Sequence, residues 1–196
     1  QDLKYKGGAV GVETGDDCMF REYVTVHTST VEDRPTRLGN HVVILAYGHI
    51  AHDCDIGDHL VMSSVSAFAG HIKAWNNVTV GWNAGVHQFS RIGAYSMIAA
   101  KAQVRKDIPP YTIVDGRPAV SRALNKVALQ RNGYSDDDIM VASRAYKTLF
   151  RSGMNHAQAV DALKAGDDAE HPLTRMMVEF MERTERGVCP GPVRRA

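Results

Sequence analysis

The residues from Leu38 to Met62 read LGNHVVILAYGHIAHDCDIGDHLVM, and they decide the predicted fold because an apolar residue recurs at every sixth position. A period of six matches neither an α-helix nor a simple strand. It is typical of short strands joined by tight turns, in which one side chain per segment enters a shared interior. Twelve consecutive positions of this phase are apolar: Leu38, Ile44, Ile50, Ile56, Met62, Phe68, Ala74, Val80, Val86, Ile92, Ile98 and Val104.

A small residue follows most of these apolar positions. Of the eleven residues that follow them from Gly39 to Ala99, eight are Gly, Ala or Ser, and the exceptions are Leu45, Trp75 and His87. Small residues allow close packing and unusual backbone angles at the turns. Three segments close one triangular coil, so we predict a parallel β-helix of hexapeptide repeats. An ordinary β-sandwich with a chance alternation is the alternative, and the length of the repeat argues against it.

The repeat has an interruption near its start. The phase extends backwards through Thr14, Phe20 and Val26 and breaks at Glu32. We predict that the polar stretch 28–37 is a loop that leaves the coil. Long loops on a rigid solenoid often carry function, and a passive insertion is the alternative interpretation.

The pattern changes after Val104. Prolines and a glycine mark residues 109–119 as a connector. We therefore predict a β-helix over 1–108 and an α-helical C-terminal domain over 120–196. Ser135 and Asp138 have the spacing of a capping box, which predicts a helix that ends near Gly153. Two further helices are predicted from Asn155 to Ala165 and from Pro172 to Arg186. The apolar face of the last one is more typical of core than of a ligand site: Met176, Met177, Phe180 and Met181.

Composition excludes several classes of function. The 196 residues carry a formal net charge of +1, so bulk electrostatics indicate neither a nucleic-acid partner nor a membrane surface. No apolar run reaches the roughly 20 residues that span a bilayer, and no signal peptide is visible. Cys18, Cys54 and Cys189 fit neither a disulfide framework nor a CxxC metal site. These features predict a cytoplasmic protein.

Histidines are concentrated in the repeat region. Seven of the nine lie between His27 and His87. If coils stack, His52, His71 and His87 line one edge at roughly the 4.8 Å strand spacing, with His49 beside them. A lone imidazole at such a corner is usually a solvated surface residue. A stacked set favours a functional site, and a metal site is a further alternative.

The segment His49–Asp53 is the predicted chemical centre. His52 has the imidazole of a general base near neutral pH, and Asp53 could fix its tautomer. Adjacent strand residues point to opposite faces, so this contact requires the geometry of a corner. The backbone N–H of Gly70 could stabilise an oxyanion. No Ser or Cys lies in a nucleophile motif, and Cys54 has no distinguishing position, so direct transfer is favoured over a covalent intermediate.

Several segments, taken together and in order, resemble the UDP-N-acetylglucosamine O-acyltransferases of lipid A biosynthesis. The resemblance covers essentially the whole chain, and it implies a homotrimer of left-handed β-helices with the active site between neighbouring subunits. The segments are 1–4, 21–22, 24–27, 49–54, 69–71, 85–89, 106–111, 124–125, 145–147 and 149–153.

The resemblance also implies a reaction and its residues. A 3-hydroxyacyl chain would pass from acyl carrier protein to the sugar 3-hydroxyl of UDP-N-acetylglucosamine, with no cofactor, metal, nucleic acid or membrane insertion. His52 would be the general base, Asp53 its partner and Gly70 the oxyanion donor. Met97 and Ala100 would limit acyl length. Substrate contacts would come from Asp2, Lys4, His27, His49, His71 and His87, and from Gln88, Asn125 and Arg131 of the adjoining subunit.

The chain departs from this family in places. The first coils of the family are absent. Val127 and Asn132 replace a glutamate and an arginine, which affects the expected nucleotide contacts, and Ala100 replaces a glycine. Three alternatives stay open: an N-acyltransferase acting on a UDP-glucosamine derivative, a hexapeptide zinc hydratase and a non-catalytic β-helix scaffold.

Overall fold

The computed structural model describes residues 2–3 and 5–192. Short strands occupy the first part of this range and helices the last part. The strands are β1 Val12–Thr14, β2 Met19–Phe20, β3 Thr25–Val26, β4 Thr36–Leu38, β5 Val43–Ile44, β6 His49–Ile50, β7 Asp55–Ile56, β8 Val61–Met62, β9 Ala67–Phe68, β10 Lys73–Ala74, β11 Thr79–Val80, β12 Gly85–Val86, β13 Arg91–Ile92, β14 Met97–Ile98, β15 Gln103–Val104, β16 Thr112–Gly116 and β17 Ala119–Leu124. The helices are α1 Lys126–Arg131, α2 Asp136–Arg151, α3 His156–Ala165 and α4 Pro172–Glu182.

The strands form the three sides of a triangular prism. The first sheet has the order β1-β4-β7-β10-β13, and the third has β3-β6-β9-β12-β15. The second has β2-β5-β8-β11-β14 and continues into β16 and β17. Each strand from β1 to β12 pairs in parallel with the strand three further along, so one coil contributes one strand to each sheet. This arrangement confirms the predicted left-handed parallel β-helix followed by a C-terminal helical region.

The repeat positions form the core of the prism. All twelve apolar residues from Leu38 to Val104 are buried, none more than 4% exposed. The small residues beside them allow successive coils to approach closely. A Cβ added to Gly39 would lie 2.4 Å from Asp58 Oδ1 and 2.8 Å from the Asp58 amide nitrogen, so no larger residue fits there without displacement.

The corners of the prism show a second six-residue rule that the sequence analysis did not identify. Every sixth residue from His41 to Lys101 has a left-handed backbone conformation, including the β-branched Val65 at φ 62°. This conformation is uncommon outside glycine. Here it directs the amide to the previous coil, as when the His71 N–H donates to the His52 carbonyl at 3.0 Å. These bonds between coils offset the cost of the backbone conformation.

The predicted loop leaves the coil. Val12 pairs with Thr36, 24 residues later, whereas Arg37 pairs with Asp55, 18 residues later. The loop therefore adds 24 − 18 = 6 residues to one coil. Its predicted extent, 28–37, was too long by two residues. Thr36 and Arg37 belong to β4, because the chain returns to the first sheet at Thr36.

The expectation of helix from Val120 onward was wrong. Residues 112–124 form an antiparallel hairpin, β16 with β17, which extends the second sheet. In β17 the buried residues Ala119 and Ser121 alternate with more exposed neighbours, which is the period of a strand. The first helix, α1, begins only at Lys126 and was not predicted as a separate element. The proposed division of the chain into domains stays a prediction.

The later helices follow the expected caps. The hydroxyl of Ser135 accepts from the Asp138 N–H at 3.1 Å, and the Asp138 carboxylate accepts from the Ser135 N–H at 2.8 Å, so the capping box is confirmed. The helix predicted from Asn155 to Ala165 is α3, with Asn155 as its N-cap.

The last helix is shorter than predicted. It ends at Glu182, not at Arg186, because the chain then turns back to the β-helix: the Thr184 hydroxyl donates to Asp107 Oδ2 at 2.5 Å. Met177 and Phe180 are fully buried, which confirms a core role for this face. Within residues 2–3 and 5–192, none of the helices has both the length and the apolar character needed to cross a membrane.

Candidate active site

The left-handed corner brings His52 and Asp53 together. His52 follows β6 on the third sheet, and Asp53 occupies the corner to the first sheet with φ 60°. This backbone turn places His52 Nδ1 2.7 Å from Asp53 Oδ2, so the contact that a straight strand would forbid is made. Both side chains are shielded from solvent, with exposed fractions of 15% for His52 and 3% for Asp53.

The Asp53 carboxylate is held by the loop. Its Oδ1 accepts from the Thr30 N–H at 2.8 Å and its Oδ2 from the Thr30 hydroxyl at 2.7 Å. The Asp53 N–H donates to the Thr36 hydroxyl at 2.9 Å. Burial acts to raise the pKa of Asp53, but the hydrogen bonds from Thr30 and His52 outweigh it and lower that pKa. The carboxylate is therefore ionised at neutral pH.

The ring of His52 has one nitrogen free for chemistry. Because an ionised carboxylate can only accept, Nδ1 carries a proton, and in the neutral imidazole Nε2 then keeps its lone pair. The ring lies directly over Gly70, where an added Cβ would be 2.6 Å from His52 Cε1 and 2.8 Å from Nε2. Among the described residues, the Gly70 N–H has no acceptor, whereas its carbonyl accepts from Phe89. A proton acceptor and an unpaired backbone donor therefore lie side by side.

The other imidazoles surround this pair. His71 lies edge-on to His52, with ring centroids 5.1 Å apart, and its Nε2 is 3.5 Å from Asp53 Oδ2. The rings of His27 and His49 are 4.5 Å apart, and the Thr25 hydroxyl is 2.7 Å from His49 Nδ1. His71 lies one coil from His52, as predicted, but it lines the cleft beside Asp53, whereas His49, His52 and His87 line a groove along the third sheet.

Burial makes three of these histidines less basic. It lowers the pKa of His27 and of His49. It also lowers the pKa of His71, although the nearby Asp53 carboxylate acts in the opposite direction. These imidazoles are therefore neutral near pH 7 and can accept or donate hydrogen bonds to a polar substrate.

A groove of about 610 Å³ runs along the third sheet beside this pair. A larger cavity, about 870 Å³, lies between the first sheet and α4, and no histidine lines it. The chemistry places the candidate site in the smaller groove, because that is where the base and the free N–H converge. Residues from four successive coils line it: His49, Ala51, His52, Ala67, Phe68, Ala69, Gly70, Gly85, Val86, His87, Gln88, Gln103, Val104 and Arg105.

Some predicted substrate residues lie elsewhere in the chain. Asp2 is near enough to His71 for its charge to act on the pKa of that ring, and Lys4 lies outside the described residues. Asn125 is the N-cap of α1 and is only 6% exposed; its amide donates to the Tyr95 carbonyl at 2.8 Å and accepts from the Ala128 N–H. Arg131 is exposed in the last turn of α1. Neither Asn125 nor Arg131 lines the groove of its own chain, and their nucleotide contacts stay predictions.

The two acyl-length residues are on a different side of the prism. Met97 belongs to β14 of the second sheet, and Ala100 lies just beyond it. Neither lines the groove on the third sheet. Their predicted role therefore requires a groove that a second copy of the chain helps to form, and it stays a prediction.

The cluster of His52, Asp53 and His71 also has the dimensions of a metal site. Donor atoms of His52, Asp53 and His71 all lie within 4.8 Å of one another. Asp53 already accepts three hydrogen bonds, two from Thr30 and one from His52. The expectation that the site works without a metal stays a prediction.

Cys54 is a core residue. It is 1% exposed, and its thiol donates to the Ala69 carbonyl at 3.3 Å. Burial raises the pKa of this thiol to about 12, so it is protonated at neutral pH and is unsuited to nucleophilic attack.

Three residues that contact the histidines or Asp53 were not predicted from the sequence. Phe89 stacks on His71 at 4.4 Å, and its position one coil later could have revealed it. Thr25 precedes the loop and contacts His49. Thr30 was not identifiable, because the loop is outside the repeat phase and gives no register.

Comparison with known proteins identifies the family of the chain. Residues 107–189 match the family model described as UDP-N-acetylglucosamine O-acyltransferase, domain 2. The acyl-[acyl-carrier-protein]–UDP-N-acetylglucosamine O-acyltransferase of Thiobacillus denitrificans is 40% identical over 96% of this chain and 73% of its own length. The enzyme of that name from Synechocystis is 37% identical over 97% of this chain and 70% of its own length. The solved structure of LpxA from Acinetobacter baumannii has a TM-score of 0.92 at 37% identity, over 96% of this chain and 74% of that one.

Proposed function

This chain belongs to the family of acyl-[acyl-carrier-protein]–UDP-N-acetylglucosamine O-acyltransferases, and from that premise we propose the reaction that its groove carries out. A 3-hydroxyacyl group passes from the thioester of acyl carrier protein to the 3-hydroxyl of UDP-N-acetylglucosamine, as the first step of lipid A biosynthesis. The observation that carries this proposal is the His52–Asp53 pair above the free N–H of Gly70.

Each group has one role in the chemistry. His52 Nε2 removes the proton from the sugar hydroxyl while that oxygen attacks the thioester carbonyl. Ionised Asp53 stabilises the imidazolium that forms. The Gly70 N–H donates to the oxyanion of the tetrahedral intermediate. When the intermediate collapses, the C–S bond breaks, the ester remains on the sugar, and His52 returns its proton to the leaving thiolate.

Transfer is direct in this proposal. An acyl-enzyme would need a nucleophile beside the base, and Cys54 is buried, hydrogen-bonded to Ala69 and protonated. No cofactor or metal takes part. The three cysteines are free thiols, which supports a reducing compartment, and we place the reaction in the cytoplasm.

The active unit is a homotrimer in this proposal. Large apolar side chains are exposed on the outer face of the second sheet and on the corner that leads to the third, and such patches mark interfaces. Tyr23 and Tyr47 are stacked there at 4.9 Å and remain more than half exposed. A neighbouring copy on this edge would bring Met97 and Ala100 toward the histidine groove. Other large exposed apolar residues of this edge include Met19, Val61, Val65 and Trp82.

The test is a transfer assay with purified protein. A radiolabelled 3-hydroxyacyl group is offered on acyl carrier protein, with UDP-N-acetylglucosamine in one reaction and its 3-amino analogue in another. Light scattering on the same preparation measures the oligomeric state.

The outcomes separate the alternatives. Product with the normal sugar supports O-acyl transfer. Product with the amino sugar alone keeps the fold and the base but changes the bond to an amide. No product from a trimeric preparation with either acceptor would contradict the proposal and favour a scaffold.

A further inference from the structure

The loop, residues 28–35, contacts the Asp53 carboxylate through Thr30. Thr30 donates twice to the same carboxylate, from its N–H to Asp53 Oδ1 at 2.8 Å and from its hydroxyl to Oδ2 at 2.7 Å. Oδ2 is also the atom that accepts from His52 Nδ1. A carboxylate that rotates about its Cβ–Cγ bond would lose both bonds from Thr30. The threonine therefore fixes the plane of the carboxylate on which the imidazole depends.

We propose that Thr30 is a positioning residue for the transfer reaction, and that the six-residue insertion exists in the coil to deliver it to Asp53. This inference rests on the proposed function. Thr30 touches no reacting atom; it acts on His52 through Asp53. The chain of contacts, Thr30 to Asp53 to His52, orders the base before substrate arrives.

The repeat alone could not hold Asp53 in this way. At the neighbouring corner the His71 N–H donates to a main-chain carbonyl of the previous coil, whereas the Asp53 N–H donates to the Thr36 side chain. The insertion removes the regular coil below Asp53 and replaces it with Thr30 and Thr36. The Asp53 side chain is only 3% exposed, so its carboxylate is shielded from water that could substitute for these donors.

Other titratable and charged groups face Asp53 from several elements, and they contribute to any measured pH dependence. His52 and His71 approach it within the corner. Arg34 from the loop, Lys73 and Arg91 from the first sheet, and Arg186 from the C-terminal segment line a cleft of about 220 Å³ beside it, together with Asp107 and Glu185. None of these groups changes between Thr30 variants.

The kinetic test compares two variants with a control. Thr30→Val removes the hydroxyl and keeps the shape and the backbone bond, and Thr30→Ser restores a hydroxyl. We expect Thr30→Val to lower kcat on the order of tenfold, the factor for about 1.4 kcal/mol, with KM for both substrates unchanged. Thr30→Ser should recover most of the rate. Thr28→Val, in the same loop, should have wild-type kcat.

The pH profile and a double variant separate positioning from mere folding. Loss of the hydroxyl raises the pKa of the Asp53 carboxyl, so the part of the acid-side loss of kcat that comes from protonation of Asp53 should begin at higher pH than in wild type. In an Asp53→Asn background, Thr30→Val should cost little more, because its target is already gone. Full additivity of the two changes, or a KM effect without a kcat effect, would overturn the proposal.

A measurement that needs no turnover tests the role of Thr30 independently of the proposed reaction. The Asp53 carboxyl carbon, titrated by NMR in the trimer, should show a higher pKa in Thr30→Val than in wild type and in Thr28→Val. An identical titration in all three would sink the positioning role. A shifted titration in a protein with no transferase activity would uphold the role and remove only the reaction.

Discussion

Two corners of the same β-helix carry a pair of neighbouring histidines beside an aspartate, and the two corners differ in burial and in the arrangement of the rings. At the corner between the third and first sheets, His52 and His71 are perpendicular and share a carboxylate that is almost fully buried. At the corner between the first and second sheets, His41 and His59 are stacked in parallel at 4.7 Å. His41 is 3.7 Å from Asp17, and the two side chains are 49% and 77% exposed.

The difference shows what the repeat provides and what it leaves to other parts of the chain. The repeat places imidazoles one coil apart at either corner. A base also needs a fixed tautomer and a shielded partner. Asp53 supplies both, and Thr30 of the loop holds its carboxylate. An exposed pair such as that of His41 and Asp17 is worth little, because water screens it.

The largest expected effect comes from removing the general base of the proposed site. His52→Ala should lower transfer by about 10⁴, the upper end for general acid–base catalysis, and leave the fold intact because the side chain lies at the surface of the prism. His59→Ala is the matched change at the other corner and should retain wild-type kcat. The assay is steady-state transfer, with circular dichroism as the check on folding. Substantial turnover in His52→Ala would remove the general-base assignment.

The next effect removes the carboxylate charge. Asp53→Asn should lower kcat by about 10³, since an amide no longer enforces the Nδ1–H tautomer, and tautomer loss in a comparable triad costs about 10⁴. Asp17→Asn, at the exposed corner, should change neither kcat nor KM. Equal activity of the two variants would mean that burial and the Thr30 contacts are irrelevant to catalysis.

A smaller effect is expected from a substitution that displaces the His52 ring without removing it. Gly70→Ala puts a Cβ within 2.6 Å of the His52 ring, so the imidazole must shift. A misplacement of about 1 Å can cost 10² in rate, and we expect a loss of that size in kcat. Gly11→Ala is the control, because a Cβ there would meet nothing within 4 Å. Wild-type activity in Gly70→Ala would show that His52 does not need its position over residue 70.

Most of the prism followed from period six, because one apolar side chain per segment is a strong and local signal. The His52–Asp53 contact was an open question, since it depends on the left-handed backbone at Asp53 and no residue type at that corner announces it. Val65 shows the same difficulty, because a β-branched residue is a poor sequence marker for this conformation.

The features that were not predicted lie where the local sequence pattern gives no sign of the tertiary pairing. The hairpin over 112–124 was missed because its second strand is stabilised by pairing with β16 and not by a strong apolar alternation. Thr30 was missed because a loop outside the repeat has no register that could place it beside Asp53.

The smallest expected effect concerns stability in acid, to which three partly buried histidines contribute. Burial lowers the pKa of His27, His49 and His71 in the folded chain, so below about pH 6.5 the unfolded chain binds more protons at these groups. Stability then falls as pH falls through that window. Asp53, with its lowered pKa, loses its contribution only at much lower pH and does not act there. We expect Tm to decrease by a few degrees between pH 7.5 and 5.5, and the decrease to shrink in the double variant His49→Gln, His71→Gln, measured by calorimetry. A Tm that rises on acidification would show that these imidazoles are not held neutral by burial.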